Sequence, residues 1–314
     1  MSRDVLLAFR FETHDRAPAF RERFRGRRVH TLQDLPDDLS NIAYAVVWNP
    51  PRGLLASLPN LEIMFSLGAG VDHVVAQPDL PDVPLVRFVD PDLSGRMAEW
   101  VTLHCLLHLR RQHDLDAQQR DRVWREPPVP AAHQVRVGIM GFGTIGQACA
   151  KPLRALGFSV AGWSRSRKRV EGVESFTEPE LDAFLARTDI LVSLLPATAD
   201  TKGILNASLF ARLARDGPLG GPVLLNAGRG SSQDETDLAA ALRNGTLAGA
   251  SLDVFETEPL DTSSDLWHAP NCYVSPHMAA VSDPQAFVRN VAAQIERHER
   301  GEPLLHVVDR SRGY

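Results

Sequence analysis

Three polar residues, each placed just after an apolar run typical of a strand, could together carry out acid–base chemistry on a small anion. Arg229 follows the run Val223–Asn226, and Glu258 and His277 follow two later runs. In open parallel sheets ligands bind beyond the carboxyl ends of the strands, so these side chains are predicted to converge there. The planar guanidinium of Arg229 suits a carboxylate, and His277 can give or take a proton while Glu258 holds its ring and favours its charged form. We therefore predict Arg229, Glu258 and His277 as catalytic residues.

A glycine-rich loop lies ahead of these residues, with a strand pattern before it and a helical pattern behind it. The stretch 136–146 reads R-V-G-I-M-G-F-G-T-I-G and leads into a helical pattern over 147–156. Gly141 permits a tight turn, Gly143 lets the backbone approach a pyrophosphate, and Gly146 allows close packing of helix on sheet. The loop predicts a dinucleotide site whose contacts come from Gly141, Phe142, Gly143, Thr144, Ile145 and Gly146.

The next strand ends in W-S-R-S-R-K, residues 163–168, where an NAD-specific site would place Asp or Glu on the ribose 2′-hydroxyl. No carboxylate stands in this stretch, and its hydroxyl and cationic side chains suit a 2′-phosphate instead. We therefore predict NADP(H) as the preferred cofactor, with NAD(H) left open. The predicted contacts are Trp163, Ser164, Arg165, Ser166 and Lys168.

Short apolar runs alternate with helical patterns along the chain, which predicts βαβ units and parallel sheets. The long helical segment Leu93–Gln112 and the Pro-rich turn at 124–130 separate these runs into two sets, and a last helix is predicted over Asp283–Arg300. We predict an α/β protein with two doubly wound parallel-sheet domains. The predicted strands are Val5–Phe9, Ala43–Trp48, Glu62–Leu67, Leu85–Val89, Arg136–Met140, Ser159–Trp163, Ile190–Leu194, Val223–Asn226, Ala248–Val254 and Cys272–Ser275.

Composition excludes several classes of protein. The 314 residues are 44% hydrophobic and 23% charged with a net charge of −5, which argues against a disordered, collagen-like or nucleic-acid-coating protein. No run approaches the length of a membrane span, and the three cysteines are far apart without disulfide or zinc spacing. We expect a cytoplasmic protein with no nucleic-acid, membrane or metal partner, in which His104 and His108 are helix-surface or interface histidines.

These motifs make the chain resemble the D-2-hydroxyacid dehydrogenases, and within them the glyoxylate/hydroxypyruvate reductase A branch. The resemblance extends over nearly the whole chain. It implies a Rossmann NAD(P)-binding domain at 102–285, with a dimerisation arm in the Leu93–Gln112 region, and a flavodoxin-like substrate domain at 1–101 completed by 286–314. The motifs that carry it are G-F-G-T-I-G, W-S-R-S-R-K, L-L-P-A-T-A-D-T at 194–201, L-N-A-G-R-G at 225–230, L-D-V-F-E-T-E-P-L at 252–260, S-P-H-M-A-A at 275–280 and the terminal V-D-R-S-R-G-Y.

The same resemblance implies an activity and further contacts. The expected activity is NADPH-dependent reduction of a small 2-oxo acid, glyoxylate or hydroxypyruvate, by a homodimer. Two alternatives stay open: a dinucleotide-responsive binding or regulatory protein on the same scaffold, and a reductase of larger 2-oxo acids such as phenylpyruvate. The implied cofactor contacts are Leu195, Pro196, Thr201, Ala227, Gly228 and Asp253. The implied substrate-binding residues are Trp48, Gly68, Ala69, Gly70 and Arg229.

Overall fold

The structure is a computed structural model that describes residues 3–9, 17–68, 70–89, 91–280 and 283–310. The chain divides into two compact units, one formed by Met1–Leu93 with Ser282–Tyr314 and the other by Ser94–Val281. Each unit contains a parallel sheet with helices. The predicted α/β class with two parallel-sheet domains is therefore confirmed.

The strands and helices of the described residues are numbered in chain order. Strands β1 to β12 cover Asp4–Phe9, Val29–Thr31, Ile42–Trp48, Ile63–Ser66, Leu85–Val86, Arg136–Met140, Ser159–Trp163, Glu174–Phe176, Ile190–Ser193, Val223–Asn226, Gly249–Leu252 and Cys272–Val274. Helices α1 to α9 cover Ala17–Arg23, Asp72–Val75, Pro91–Leu109, Gln112–Asp121, Thr144–Ala155, Leu181–Ala186, Ala207–Phe210, Glu235–Arg243 and Pro284–Glu299.

The first unit contains a five-stranded parallel sheet in the order β2-β1-β3-β4-β5. All six residues of β1 are buried, as expected for a strand with apolar cover on both faces. Helix α9 packs on one of those faces through Phe287, whose ring meets Phe88 edge-on with centroids 4.9 Å apart. The order 2-1-3-4-5 is that of a doubly wound sheet.

The second unit contains a seven-stranded parallel sheet in the order β12-β11-β10-β9-β6-β7-β8. Strand order reverses between β6 and β9, which are hydrogen-bonded neighbours. Hydrophobic clusters cover both faces of the sheet, one around Val137 and Val192 and the other around Leu191 and Leu224. In such sheets the reversal point leaves a crevice beyond the carboxyl ends of the strands, which is where ligands bind.

The long helical segment differs from its prediction in two ways. It is interrupted at Arg111, which adopts a left-handed conformation with φ of 56° and separates α3 from α4. His104 and His108 are not surface histidines, because both are buried and both lie within hydrogen-bond distance of Ser251 Oγ on β11, at 2.8 and 2.9 Å. Their side of α3 faces the sheet, which the weakly amphipathic pattern of this helix does not reveal.

Candidate active site

The glycine-rich loop joins β6 to α5 at the reversal point of the second unit's sheet. Gly141 has φ of 90°, and a Cβ there would lie 2.6 Å from the carbonyl oxygen of Leu194, so only glycine fits. A Cβ at Gly146 would lie 2.6 Å from the carbonyl oxygen of Gly141. These two contacts bring helix α5, which begins at Thr144 rather than at 147, close against the loop that follows β9.

The amino end of α5 is open in the way that an anion site requires. Gly143 is the residue before the first helical turn and gives no side-chain cap, so the first N–H groups of the helix face outward. A Cβ on Gly143 would meet no atom within 4 Å. The Phe142 ring lies in the core, and its N–H donates to the carbonyl of Trp163. This cradle fits a pyrophosphate, which a helix amino terminus binds through backbone N–H groups and its dipole.

The predicted 2′-phosphate residues lie on the connection that follows β7. Trp163 is buried and donates from Nε1 to the carbonyl of Thr177 at 3.1 Å. Arg165 and Ser166 are exposed, and Nζ of Lys168 donates to Oγ of Ser166 at 2.8 Å. Ser164 closes the turn by donating from Oγ to the carbonyl of Ser166 at 3.0 Å. The structure thus places the exposed hydroxyl and cationic groups together on one connection.

The residues implied on the nicotinamide side occupy the loops after β9 and β10. Leu195 and Ala227 are buried, and a Cβ on Gly228 would lie 2.7 Å from both the nitrogen and the carbonyl oxygen of Leu195. Oγ1 of Thr201 donates to the carbonyl of Pro196 at 2.6 Å and so closes the turn between them. The two loops are therefore packed backbone to backbone at the edge of the sheet where the glycine-rich loop lies.

Glu258 and His277 form a hydrogen-bonded pair. Nδ1 of His277 lies 2.8 Å from Oε2 of Glu258, and the N–H of Phe255 donates to Oε1 of Glu258 at 3.1 Å. The pKa of His277 is raised above its ordinary value, first by this hydrogen bond, against the opposing effects of burial and of the Arg229 charge. Because Nδ1 faces the carboxylate, Nε2 is the ring nitrogen left to exchange a proton with a substrate.

The carboxyl of Glu258 remains ionised beside this ring. Burial alone would raise its pKa, but the hydrogen bonds from His277 and Phe255 and the charge of Arg229 outweigh burial and lower it. Arg229 is half-buried and donates from Nη1 to the carbonyl of Gly228 at 2.8 Å. A cation, an imidazole and a carboxylate are thus brought together, with the Arg229 charge acting on both members of the pair.

Asp253 supports the loop that carries His277. Its buried carboxylate accepts hydrogen bonds from Oγ of Ser275 at 2.6 Å, the N–H of Met278 at 2.9 Å and the N–H of Ala279 at 2.8 Å. The N–H of His277 donates to the carbonyl of Asp253 at 2.8 Å. These bonds hold His277 in a left-handed conformation, with φ of 52°, that a residue with a Cβ rarely adopts. The family resemblance implied Asp253 as a cofactor contact, and the sequence analysis missed this supporting role, for which Ser275 is the local signal.

A second supporting network shapes the Arg229 turn. Oδ1 of Asn226 accepts the N–H of Gly228 at 3.1 Å, and its Nδ2 donates to Oε1 of Gln233 at 2.8 Å. Gln233 in turn donates to the carbonyl of Val254 at 2.9 Å. Both side chains are buried, and the network links the loop carrying Arg229 to the strand end that precedes Glu258. Gln233 gave no signal in the sequence, since a lone Gln is ordinarily a surface residue.

The implied substrate residues belong to the first unit and are described there. Trp48 ends β3, and its ring covers Gly68 so closely that a Cβ at Gly68 would lie 2.6 Å from Cζ3 of Trp48. The carbonyl of Gly70 accepts a hydrogen bond from Oγ of Ser66 at 3.0 Å. Ala69 lies outside the described residues, as do residues 311–314 of the terminal motif. The structure thus brings Trp48 and Gly68 into contact within the first unit.

Metal sites and membrane spans are two other kinds of functional feature. Across the described residues, no group of three or more His, Cys, Asp or Glu side chains is arranged to hold a metal ion. The same portion of the chain contains no helix of sufficient length and apolar character to cross a bilayer.

Comparisons with known proteins show what the chain is similar to. Residues 102–279 match the family described as D-isomer specific 2-hydroxyacid dehydrogenase, NAD binding domain. The chain is 41% identical over 278 residues to glyoxylate/hydroxypyruvate reductase A of Salmonella newport strain SL254, covering 86% of this chain and 87% of that one.

Two solved structures resemble the chain over its full length. One is an NADPH-dependent glyoxylate/hydroxypyruvate reductase of Sinorhizobium meliloti, in complex with NADP and sulfate, with 52% identity, a TM-score of 0.96 and coverage of 100% of both chains. The other is a D-isomer specific 2-hydroxyacid dehydrogenase of Xanthobacter autotrophicus Py2, in complex with NADPH and MES, with 39% identity, a TM-score of 0.92 and coverage of 100% of both chains.

Proposed function

The chain belongs to the D-isomer specific 2-hydroxyacid dehydrogenase family, and on that premise we propose that it reduces glyoxylate or hydroxypyruvate with NADPH. The observation that carries the proposal is the pair formed by Glu258 and His277 beside the charge of Arg229, in the unit that also holds the glycine-rich loop. The similarity to reductases that use NADPH supports the cofactor.

The residues of the second unit suit that cofactor. The open amino end of α5 and the backbone of Gly141 and Gly143 would hold the pyrophosphate, and Arg165 with Lys168 would hold the 2′-phosphate. NADPH, when bound, supplies the hydride. The other cofactor contacts remain a prediction of the sequence, namely Phe142, Thr144, Ile145, Gly146, Trp163, Ser164, Ser166, Leu195, Pro196, Thr201, Ala227, Gly228 and Asp253.

The chemistry proposed for the chain's own residues is proton transfer and anion binding. The guanidinium of Arg229 binds the carboxylate of the 2-oxo acid and polarises its carbonyl through the planar fork. Protonated His277 gives the proton on Nε2 to the carbonyl oxygen as that oxygen becomes a hydroxyl, and Glu258 stabilises the charged ring until then. In the oxidation direction neutral His277 takes the same proton back. The assignment of Trp48, Gly68, Ala69 and Gly70 to the substrate rests on the family resemblance.

We also propose that two copies of the chain associate through α3, α4 and the segment that follows. Trp124 is fully exposed, and Leu103 on α3, Leu115 on α4 and Val123 after α4 are 53%, 37% and 48% exposed. Exposed apolar side chains grouped in this way are typical of an interface between proteins. We further place the protein in the cytoplasm, where its three free cysteines would stay reduced.

The test of the proposed activity is NADPH oxidation with a panel of 2-oxo acids of increasing side-chain size, repeated with NADH. We expect the highest kcat/KM with glyoxylate or hydroxypyruvate and with NADPH, and little activity for His277→Ala. The control is His268→Ala, which removes an exposed histidine of the same unit outside the site. Absence of turnover with every acid would favour a binding or regulatory protein, and turnover that rises steadily with side-chain size would favour phenylpyruvate-like substrates.

A further inference from the structure

Arg167 forms an ion pair with a carboxylate of the protein, and neither of the two residues is a predicted cofactor contact. Its Nη2 donates to both carboxylate oxygens of Glu180, at 2.6 and 2.7 Å, and its Nη1 donates to the carbonyl of Ser175. All of these acceptors lie on or just after β8, the strand that pairs with β7. Arg167 therefore uses its guanidinium within the protein, although it stands between residues predicted to bind the 2′-phosphate.

Glu180 is itself fixed by its neighbours. Its Oε2 accepts hydrogen bonds from the N–H of Thr177 at 2.8 Å and from Oγ1 of Thr177 at 2.9 Å. The hydrogen bond from Arg167, followed by those from Thr177, lowers the pKa of Glu180 to about 2. The carboxylate is therefore charged throughout the working range of pH, and the pair with Arg167 persists.

Two hydrogen bonds donated by backbone N–H groups join the same loop to the same strand. The N–H of Ser164 donates to the carbonyl of Phe176 at 3.1 Å, and the N–H of Lys168 donates to Oγ of Ser175 at 2.9 Å. These bonds attach both ends of the connection 164–168 to β8. The Arg167 side chain attaches the connection to the carbonyl of Ser175 and to Glu180. Arg165, Ser166 and Arg167 are exposed on this connection, and Ser164 and Lys168 are half-buried.

We propose that Arg167 and Glu180 are positioning residues for NADPH specificity, whose ion pair holds the connection 164–168 in the conformation that presents Arg165, Ser166 and Lys168 to the 2′-phosphate. The inference rests on the proposed use of NADPH. NADH lacks this phosphate, so the pair contributes to the binding of NADPH and not to that of NADH. A rigid connection also loses less conformational freedom when the phosphate binds.

Removal of the Glu180 charge distinguishes a positioning role of Glu180 from a purely electrostatic effect of its charge on the phosphate. A carboxylate near a phosphate site repels the phosphate, so by charge alone Glu180→Gln would strengthen NADPH binding. Positioning predicts the opposite sign, because Gln cannot accept the two charge-assisted bonds from Arg167. The direction of the change in KM therefore decides between the two.

The experiment measures KM and kcat for NADPH and for NADH in the full-length wild type, Arg167→Gln, Glu180→Gln and the double variant. We expect KM for NADPH to rise about three- to fivefold in each single variant, the range in which exposed ion pairs contribute, and no further in the double variant. KM for NADH and both kcat values stay within about twofold. The matched control is Arg243→Gln, which breaks the exposed Arg243–Asp265 pair of the same unit, 2.8 Å long, and leaves both KM values unchanged.

Three results would overturn the inference. The first is a fall in KM for NADPH in Glu180→Gln, and the second is an equal rise in KM for NADPH and NADH. The third is a much larger rise in KM for NADPH in Arg167→Gln than in Glu180→Gln, with the two effects adding in the double variant. That result would indicate that Arg167 itself binds the phosphate. Should Arg167→Gln not fold, Arg167→Lys replaces it, since lysine keeps the charge but cannot make two parallel bonds. A wild type that prefers NADH would instead refute the proposed cofactor, which is a separate outcome.

Discussion

Replacement of Glu258 by Gln is expected to weaken reduction at alkaline pH and to spare it at acidic pH. In the proposed mechanism reduction requires His277 in its protonated form, and the wild-type pKa of His277 is raised first by its hydrogen bond to Glu258. Without that carboxylate, burial of the ring and the charge of Arg229 remain and lower the pKa, opposed by the smaller raising effect of the Asp253 charge. As the pH rises, the activity of the variant therefore begins to fall at a lower pH than the activity of the wild type.

The size of the effect follows from the geometry of the pair. Nδ1 of His277 and Oε2 of Glu258 are 2.8 Å apart, and a hydrogen bond between charged groups contributes about 1.5–3 kcal/mol. The two side chains are 40% and 36% exposed, so solvent screening places the loss at about 1.4 kcal/mol, near the lower limit. This corresponds to about a tenfold lower protonated fraction of His277 above its pKa, and to the same loss in kcat/KM.

The assay is kcat/KM for glyoxylate reduction from about pH 5.5 to about pH 9 in wild type and Glu258→Gln. Oxidation of the hydroxy acid gives an independent check, because it needs neutral His277 and is expected to extend to lower pH in the variant. Glu256→Gln is the matched control, since it removes an exposed carboxylate two residues away that does not contribute to the pKa of His277. An equal loss of kcat/KM at every pH would refute the reasoning, because it would make Glu258 a structural residue only.

Three further predictions concern other parts of the chain. Arg229→Lys keeps the charge but not the planar fork, so kcat/KM for the 2-oxo acid is expected to fall about tenfold or more in steady-state assays; an unchanged value contradicts it. Burial lowers the pKa of His104 to about 4 and that of His108 to about 3. As the pH falls, both histidines therefore take up protons in the unfolded chain before they do so in the folded protein, which destabilises the fold. The urea concentration at the midpoint of unfolding is expected to be lower at about pH 4.5 than at about pH 6.5. Equal midpoints at the two pH values would oppose this. Leu103→Glu is expected to be monomeric when its mass is measured by light scattering. The control is Leu156→Glu, which changes a 46% exposed residue directly after α5 and is expected to have the same mass as the wild type. A dimeric Leu103→Glu would argue against the proposed interface.

The sheets could be predicted where strands are buried on both faces. Arg136–Met140, Ser159–Trp163 and Val223–Asn226 have the predicted bounds, because a strand covered by helices on both sides is a continuous apolar run. The strands β2 and β8 were missed. Each has three residues and lies at the edge of its sheet, where one flank has no partner and a run this short gives no pattern.

The residue types of the candidate site and their places at strand ends could be predicted from the sequence. The hydrogen bonds that connect these residues could not. Arg229, Glu258 and His277 were predicted together because each follows an apolar run behind the glycine-rich dinucleotide loop. The bonds from Asp253 to the loop of His277 join residues more than twenty positions apart, and their existence depends on how β11 and β12 pair. The left-handed conformation of His277 had no signal in the sequence, since it depends on the hydrogen bonds that Asp253 accepts from this loop.

Two carboxylate pairs of the second unit, Glu258 with His277 and Glu180 with Arg167, differ in what the carboxylate controls. Beside His277, Glu258 sets both the position of the ring and its affinity for a proton, because imidazole titrates near neutral pH. Beside Arg167, Glu180 can set position alone, because a guanidinium stays charged in proteins. The two amide variants are therefore expected to differ in kind. Glu258→Gln changes the pH dependence of turnover with either cofactor, whereas Glu180→Gln changes KM for NADPH and leaves the pH dependence unaltered. A shifted pH profile in Glu180→Gln would mean that the phosphate connection and the acid–base pair are coupled.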